Sequence, residues 1–159
     1  MGKPDFRPAA LPASIDGESA LAYPIIVDSC KLEINLVSLG NPHCVLFVSE
    51  FESQDWMRLG QKLESHPLFP RRTNVEFVRV IDPHNIEIRI WERGVGKTFS
   101  SGTCSCASAA ISIQKGQAEA PVQVHNEKGV LTVDWQDDDI FVEGPTAPVW
   151  KGEFLWNAV

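Results

Sequence analysis

The chain has 159 residues, of which 43% are hydrophobic and 22% charged, and this composition suits one globular domain with a sizeable core. Its formal net charge of -7 argues against a nucleic-acid partner, because phosphates select basic surfaces. No apolar run approaches the roughly 18 residues of a membrane span, and the first residues lack the basic and apolar regions of a signal peptide. The sequence therefore predicts a cytoplasmic protein with neither nucleic acid nor membrane as a partner.

In chain order, residues 1–12 are irregular and rich in proline, and no helix or strand is predicted before Tyr23. Beyond that point, short apolar or alternating runs bounded by turn residues predict strands. These strands cover residues 23–28, 31–39, 44–48, 74–81, 85–91, 121–125, 129–135 and 139–143, with a last strand around residues 149–154.

Two helices are predicted among these strands. Residues 53–65 place Trp56, Leu59 and Leu63 on one face. Residues 103–115 are apolar on nearly every side, so this second helix must be enclosed. Many strands wrapped around one buried helix predict a single α+β domain, a mixed and mostly antiparallel β-roll or barrel of about eight strands.

The four cysteines match no common metal site. Cys104 and Cys106 are separated by one residue, whereas zinc ligands are separated by two or more, and no histidine lies at ligand spacing. We expect Cys30, Cys44, Cys104 and Cys106 to be reduced thiols packed in the core. The sequence predicts no metal.

The loop before the second helix is a candidate anion site. Gly94 and Gly96 allow sharp turns, Ser101 and its neighbour Ser100 are good N-cap residues, and Gly102 would open the first turn. A helix N-terminus presents free N–H groups and positive dipole charge, so it can hold a carboxylate or phosphate. An ordinary junction between a strand, a loop and a buried helix remains the alternative.

Several motifs, in order along the chain, resemble the C-terminal half of the diaminopimelate epimerase family. They are residues 40–44 (GNPHC), 72–78 (RTNVEFV), 92–98 (ERGVGKT) and 101–103 (SGT), with the opening MGKPDF and the closing Gly144-Pro145. The likeness spans essentially the whole chain. It implies a two-domain fold, each domain a β-roll around a central helix, with the active site between the domains.

The resemblance also implies a reaction and the residues that perform it. The family interconverts LL- and meso-diaminopimelate in lysine biosynthesis without pyridoxal phosphate or another cofactor, using one base on each face of the α-carbon. By this likeness Asn41 and Asn74 bind the substrate's distal amino-acid end. Glu92 and Arg93 contact the substrate as a charge pair, with Arg93 offering its forked donors to a carboxylate. The backbone N–H groups of Gly102 and Thr103 receive the carboxylate at the reacting centre, and His43 and Glu92 modulate ionisation of the second base.

Two departures from the family pattern bear on activity. The family's first domain has no counterpart here, so it is expected as a missing partner, and the isolated chain is expected to be incomplete or inactive. The family's second catalytic cysteine is replaced by Ser101. A hydroxyl ionises far less readily than a thiol, so the sequence favours an altered or impaired site over a serine activated by His43 or Glu92. Cys104 is disfavoured as a replacement base because it lies one helical turn beyond Ser101.

Three functions remain open on this basis. The first and preferred one is a diaminopimelate epimerase, or its C-terminal domain. The second is another isomerase, racemase or dehydratase of the same fold that uses a cysteine–serine pair. The third is a non-catalytic amino-acid-binding module. The oligomeric state is not determined by the sequence, but an exposed apolar interdomain face would favour a homodimer.

Overall fold

Two α-helices connect the strands in the described part of this protein. Each helix leads into a strand that pairs in parallel with an earlier strand. The computed structural model describes residues 1–15, 19–52, 55–154 and 156. Its strands are β1 (Tyr23–Val27), β2 (Cys30–Ser38), β3 (Pro42–Phe47), β4 (Asn74–Asp82), β5 (Asn85–Glu92), β6 (Gly96–Thr98), β7 (Val122–Asn126), β8 (Gly129–Gln136) and β9 (Asp139–Glu143). Its helices are α1 (Trp56–Glu64) and α2 (Gly102–Gln114).

The strands form one mixed sheet with the order β1-β2-β3-β4-β5-β7-β8-β9, and β6 pairs with β5 outside this path. The pairs β3–β4 and β5–β7 are parallel, and the remaining pairs are antiparallel. Parallel neighbours need a long crossover, which α1 supplies between β3 and β4 and α2 between β5 and β7. The predicted mixed α+β fold is confirmed, with nine strands and without closure of the sheet into a barrel.

The helix α2 is the centre of the domain. All its residues from 104 to 112 are buried, as its apolar sequence predicts. The sheet curves around it and packs on it through residues from β2, β3, β4, β5, β7, β8 and β9. These residues include Val37, Val45, Val78, Ile86, Ile88, Ile90, Val122, Val124, Val133 and Ile140.

The helix α1 covers the opposite face of the sheet. It places Leu63, which is fully buried, and the partly buried Trp56 and Leu59 against a second apolar cluster. That cluster includes Ile34, Leu36, Cys44, Leu46, Val75 and Phe77 from β2, β3 and β4. These three strands are thus buried on both faces, which explains their continuous apolar runs.

The first residues of the chain complete the wall around α2. Gly2 bridges to Ile140 in β9, and Asp5 exchanges two backbone hydrogen bonds of 2.9 Å with Ser38 in β2. Phe6 stacks on Trp135 with ring centroids 5.9 Å apart. This segment therefore spans between the two sides of the curved sheet. The prediction of no regular structure before Tyr23 also omitted a short 3₁₀ turn at Pro8–Ala10.

The predicted strand at residues 149–154 is wrong. Residues 144–154 are exposed and have no regular structure, with Trp150 78% and Phe154 81% exposed. An apolar alternation cannot form a strand where no neighbouring strand offers hydrogen-bonding partners. Conversely, the three-residue strand β6 was too short to predict.

Two smaller predictions need correction. The first helix begins at Trp56, where the side chain of Asp55 accepts a hydrogen bond from the N–H of Arg58 and caps the helix. The predicted start at Ser53 lies outside the described residues. The four cysteines are free, but Cys30 is exposed at the start of β2 rather than packed in the core. Across the described residues no helix is both long and apolar enough to cross a membrane.

Candidate active site

The motif residues that lie apart in the sequence meet at one edge of the sheet. The parallel strands β3 and β4 both begin there, with His43 opposite Asn74, and the antiparallel strand β5 ends there, with Trp91 opposite Val75. The loop after β5 leads through β6 into the N-terminus of α2. Because β3 and β4 begin at this edge and β5 ends there, the polar side chains at these strand ends lie around the N-terminus of α2.

Ser101 occupies the N-cap position of α2, as predicted, but its hydroxyl does not cap the helix. Its backbone is extended, with φ -153° and ψ 128°, and its carbonyl accepts the first helical hydrogen bond from the N–H of Ser105 at 3.0 Å. The hydroxyl makes no capping hydrogen bond to the backbone N–H groups of the first turn. It is therefore available to contact other groups.

Gly102 and Thr103 form the first two positions of α2, and both are partly exposed. Because the first helical hydrogen bond goes to Ser105, the geometry of the helix leaves the N–H groups of residues 102–104 without a carbonyl partner in a preceding turn. These free N–H groups and the helix dipole favour an anion at the terminus, and carboxylate binding there stays a prediction.

The turn that leads to this helix depends on glycine. Gly94 and Gly96 have φ of 78° and 94°, in the left-handed region that favours glycine. They return the chain antiparallel from β5 into β6. The predicted sharp turns are confirmed at both positions.

His43 is buried at 1% exposure and lies on the face of β3 that packs against α2. Its Nδ1 lies 2.7 Å from Oε1 of Glu76, and its Nε2 lies 3.0 Å from Oδ1 of Asn41. Glu76 is also fully buried, on the matching face of β4. Burying a carboxylate and an imidazole is costly unless both are paired, so this arrangement is rigidly defined.

Cys104 is fully buried, its thiol lies within 4.8 Å of the Glu76 carboxylate, and Ser101 is a hydrogen-bonding neighbour that acts on the pKa of the thiol. Burial raises the pKa of this thiol well above its ordinary value, and the negative charges of Glu76 and Glu92 raise it further. The hydrogen bond with Ser101 acts in the opposite direction. Cys104 is therefore held as a neutral thiol.

Asn74 begins β4 and is 4% exposed. Its side-chain amide donates to the carbonyl of Pro42 at 3.0 Å, and its oxygen accepts from the backbone N–H of Arg93 at 2.9 Å. It thus ties the loop after β5 to the start of β3. One N–H and one lone pair of the side chain remain for a ligand.

Arg93 is exposed and lines a polar cavity of about 340 Å³ together with Asn41 and Arg71. Proline, alanine, serine, leucine and glycine residues complete the wall, and none of the described residues that line it carries a carboxylate. Two guanidinium groups and an amide suit a carboxylate ligand. Glu92 ends β5 and is partly exposed, and it forms no ion pair with Arg93 among the described side chains.

A metal ion would have to compete with existing contacts at this site. Across the described part of the chain, His43, Glu76 and Cys104 form the group whose ligand atoms all lie within 4.8 Å of one another. Both ring nitrogens of His43 already have hydrogen-bond partners, so a metal would displace Glu76 or Asn41 from one of them.

Sequence reasoning missed Glu76 and Arg71 as members of the site. Glu76 lies inside the motif 72–78. It could have been found because it is a charged residue within the apolar run 75–78, and a charged side chain is rarely buried unless it is paired. Arg71 lies in a loop, and no pattern in the sequence places it next to Arg93. The position of Cys104 at the site was considered, but its contact with Glu76 depends on the pairing of β4 with β3.

Known proteins share both the sequence and the fold. The diaminopimelate epimerase of Desulfitobacterium hafniense is 41% identical over 100% of this chain. That of Halothermothrix orenii is 38% identical over 98% of the chain, and that of Pseudomonas aeruginosa strain LESB58 is 40% identical over 96%. The chain spans only 55–56% of the length of these relatives.

A solved PhzF-family phenazine biosynthesis protein of Bacillus anthracis has a related fold, with a TM-score of 0.50 and 15% identity over 66% of this chain and 34% of that one. A family model described as Diaminopimelate epimerase matches residues 35–149, which include every candidate site residue. This chain belongs to the diaminopimelate epimerase family.

Proposed function

We propose that this domain supplies one half of a diaminopimelate epimerase active site, which interconverts LL- and meso-diaminopimelate for lysine biosynthesis in the cytoplasm without a cofactor. The observation that carries the proposal is the meeting, at one sheet edge, of Ser101, the free N–H groups at the start of α2 and the cavity lined by Asn41 and Arg93. The family relationship over the whole chain supports it.

The geometry suggests how the substrate would lie. Its reacting α-carboxylate would be held by the N–H groups of Gly102 and Thr103, next to Ser101. Its distal amino-acid end would extend toward Asn41, Asn74 and the Arg93 guanidinium. A carboxylate at a helix N-terminus and another at a guanidinium are each favoured electrostatically, so the substrate would be fixed at both ends.

Inversion of the α-carbon needs a proton acceptor on one face and a proton donor on the other. Ser101 would serve the face toward this domain, with His43 and Glu92 nearby. The residue on the opposite face would come from the part of the relatives that this chain does not cover. That other half is therefore the partner we propose.

The experiment that tests this proposal is exchange of the α-proton of diaminopimelate in heavy water, followed by proton NMR. It would be run on the chain alone, on the chain mixed with the uncovered half of the Desulfitobacterium relative, and on both with Ser101→Cys. We expect exchange only in the mixture, with an increase of about 10²-fold or more after Ser101→Cys, because a thiol ionises near neutral pH.

Ser100→Cys is the matched control, because it introduces the same thiol one residue away at an exposed position. It should leave the exchange rate unchanged. The absence of exchange in every sample, together with tight binding of diaminopimelate, would favour a binding module. Exchange of a different amino acid would favour another isomerase of this fold.

Self-association is a further part of the proposal. Val149, Trp150, Phe154 and Trp156 are each at least 78% exposed and apolar, a composition typical of contact surfaces. Sedimentation velocity of the chain alone and with the other half would distinguish a homodimer from a complex of the two halves.

A further inference from the structure

The carboxylate of Glu76 has an oxygen that the two-base scheme does not use. Glu76 is fully buried, and its Oε1 contacts Nδ1 of His43. Its Oε2 is buried and has no hydrogen-bond partner of normal geometry among the nitrogen and oxygen atoms of the described residues. A buried carboxylate oxygen left in this way costs free energy, so its position calls for an explanation.

The group nearest to that carboxylate on α2 is the thiol of Cys104. The ligand atoms of Cys104, Glu76 and His43 all lie within 4.8 Å of one another. The side chain of Ser101, one helical turn before Cys104, is close enough to this thiol to lower its pKa. The side chains therefore form a continuous series from Ser101 through Cys104 to Glu76, with no exposed group between them.

We propose that Glu76 is the proton acceptor for Ser101 and that the thiol of Cys104 carries the proton between them. This proposal rests on the proposed function, because it explains how a serine could act where the family uses a cysteine. It assigns Cys104 and Glu76 as positioning residues that act through Ser101.

The step balances as three proton transfers in the same direction. The α-proton of the substrate moves to Oγ of Ser101 while the hydroxyl proton of Ser101 moves to Sγ of Cys104. The original thiol proton of Cys104 moves to the carboxylate of Glu76. The products are the α-carbanion and a neutral glutamic acid, with Ser101 and Cys104 unchanged in protonation. The proton returned to the opposite face comes from the partner half. After the product leaves, the reverse transfers carry the proton from Glu76 through Cys104 to Ser101 while Ser101 gives a proton to water, and Glu76 is again a carboxylate.

Cys104 does not act as a base in its own right. Burial raises the pKa of its thiol, and the charges of Glu76 and Glu92 oppose thiolate formation, so it remains neutral at both ends of the step. It is also fully buried, whereas Ser101 is partly exposed. A thiol that accepts one proton as it gives another stays neutral and does not need to contact the substrate.

His43 and Asn41 orient the acceptor. His43 contacts Oε1 of Glu76 from β3, and Asn41 contacts the other ring nitrogen. The carboxylate is thereby turned so that its second oxygen is directed away from His43. Glu92 at the end of β5 is a further titratable group that acts on the Cys104 thiol.

The test is α-proton exchange in the mixture of both halves, with variants made in two backgrounds. With Ser101 in place, Cys104→Ala and Glu76→Gln should each lower the exchange rate by about 10²-fold or more, the usual contribution of a general base. With Ser101→Cys, the introduced thiol ionises by itself, so the same two substitutions should change the rate by no more than about threefold.

Rescue and pH dependence separate proton transfer from a structural effect. Cys104→Ser keeps a group that can accept and donate a proton, so it should retain most of the rate that Cys104→Ala loses. Cys106→Ala, at a buried position of the same helix, is the matched control and should have no effect on exchange. Between about pH 7.5 and 9.5 the Ser101 enzyme should show a level rate, whereas Ser101→Cys should show a rate that rises as its thiol ionises.

A measurement on the chain alone tests the contact itself. Titration of cysteine labelled with ¹³C at Cβ should show that Glu76→Gln lowers the pKa of Cys104 and leaves that of Cys106 unchanged. An unaltered Cys104 titration would overturn the series. So would exchange through Ser101 that is insensitive to both Cys104→Ala and Glu76→Gln, or exchange that requires Ser101→Cys. Absence of exchange in every sample would instead overturn the proposed function and, with it, the role of the series.

Discussion

Glu64 connects three separate segments at the base of the candidate site. It is the last residue of α1, and its Oε2 accepts from the indole N–H of Trp91 at 2.8 Å. Its Oε1 accepts from the backbone N–H of Gly94 at 2.8 Å and from Arg72 at 3.4 Å. One buried carboxylate thus holds the glycine turn that presents Glu92 and Arg93.

Glu64→Gln should destabilise the fold by about 1–3 kcal/mol at neutral pH, because the amide cannot accept all of these hydrogen bonds. Burial raises the pKa of Glu64, but the hydrogen bonds from Trp91 and Gly94 and the Arg72 charge lower it more, so the net shift is downward. The stabilisation is therefore fully present above the ordinary glutamate pKa and is lost as the pH falls through the lowered one.

Urea unfolding of both proteins at several pH values would measure this difference. The difference in unfolding free energy between the unsubstituted protein and Glu64→Gln should be constant around neutral pH and should become smaller in acid. A gap that widens as the pH falls would contradict the assignment. Glu119→Gln, at an exposed position, is the control and should leave the unfolding free energy unchanged.

At the scale of single residues, the sequence predicted those features of the site that depend on residues close to one another in the chain. The N-terminus of α2, its glycine turn and the residues Gly102 and Thr103 are local features, and they were predictable. Glu76 and Arg71 act through contacts with segments 33 and 22 residues away, at His43 and Arg93 respectively. No local pattern encodes such contacts.

At the scale of elements, α1 approaches the sheet closely because it carries a glycine. A Cβ placed on Gly60 would lie 2.7 Å from Cβ and 2.9 Å from Cγ of Trp91 in β5. These atoms lie near the backbone of a buried strand, so they cannot move aside easily. The close contact also positions the indole that Glu64 holds.

Gly60→Ala should therefore lower the unfolding free energy by on the order of 1 kcal/mol. Alanine favours an isolated helix by about 1 kcal/mol over glycine, but overpacking against the strand costs about 1–3 kcal/mol. Gln61→Ala, on the exposed side of the same helix, is the control and should be neutral or slightly stabilising. Thermal unfolding of the three proteins would decide, and a stabilised Gly60→Ala would show that the contact is not tight.

Element prediction succeeded where apolar periodicity was strong and failed where partners decide the outcome. The buried helix and the long strands were identifiable because their apolar residues repeat over many positions. The strand β6 has only three residues, and it exists because β5 offers a free edge. Residues 149–154 have a strand-like composition but no such edge.

At the scale of the whole molecule, residues 1–7 span between β9 and β2. The contacts are the bridges at Gly2 and Asp5 and the stacking of Phe6 on Trp135. Pairing of Gly2 with Ile140, at the far end of the chain, has an entropic cost of loop closure, so it must be supported by side-chain packing. The sequence could not predict this, because residues 1–7 contain no apolar repeat.

Phe6→Ala should destabilise the protein by about 1–3 kcal/mol, since it removes a partly buried ring and an aromatic pair. Hydrogen exchange should increase at Gly2, Asp5 and Ser38 more than within α2. Phe141→Ala removes a ring that is 54% exposed on β9, so it is the matched control and should change little. Equal effects of the two substitutions would show that the segment does not hold the roll together.

The segment after β9, residues 144–156, contains two exposed tryptophans whose fluorescence can report on its surroundings. Of the chain's five tryptophans, Trp56, Trp91 and Trp135 are packed against the fold, whereas Trp150 and Trp156 are 78% and 79% exposed. Emission from the last two should be red-shifted and readily quenched by acrylamide, and emission from the others should be blue-shifted and protected. Selective loss of quenching at the red edge would report that a partner has covered this segment, without any chemical modification of the protein.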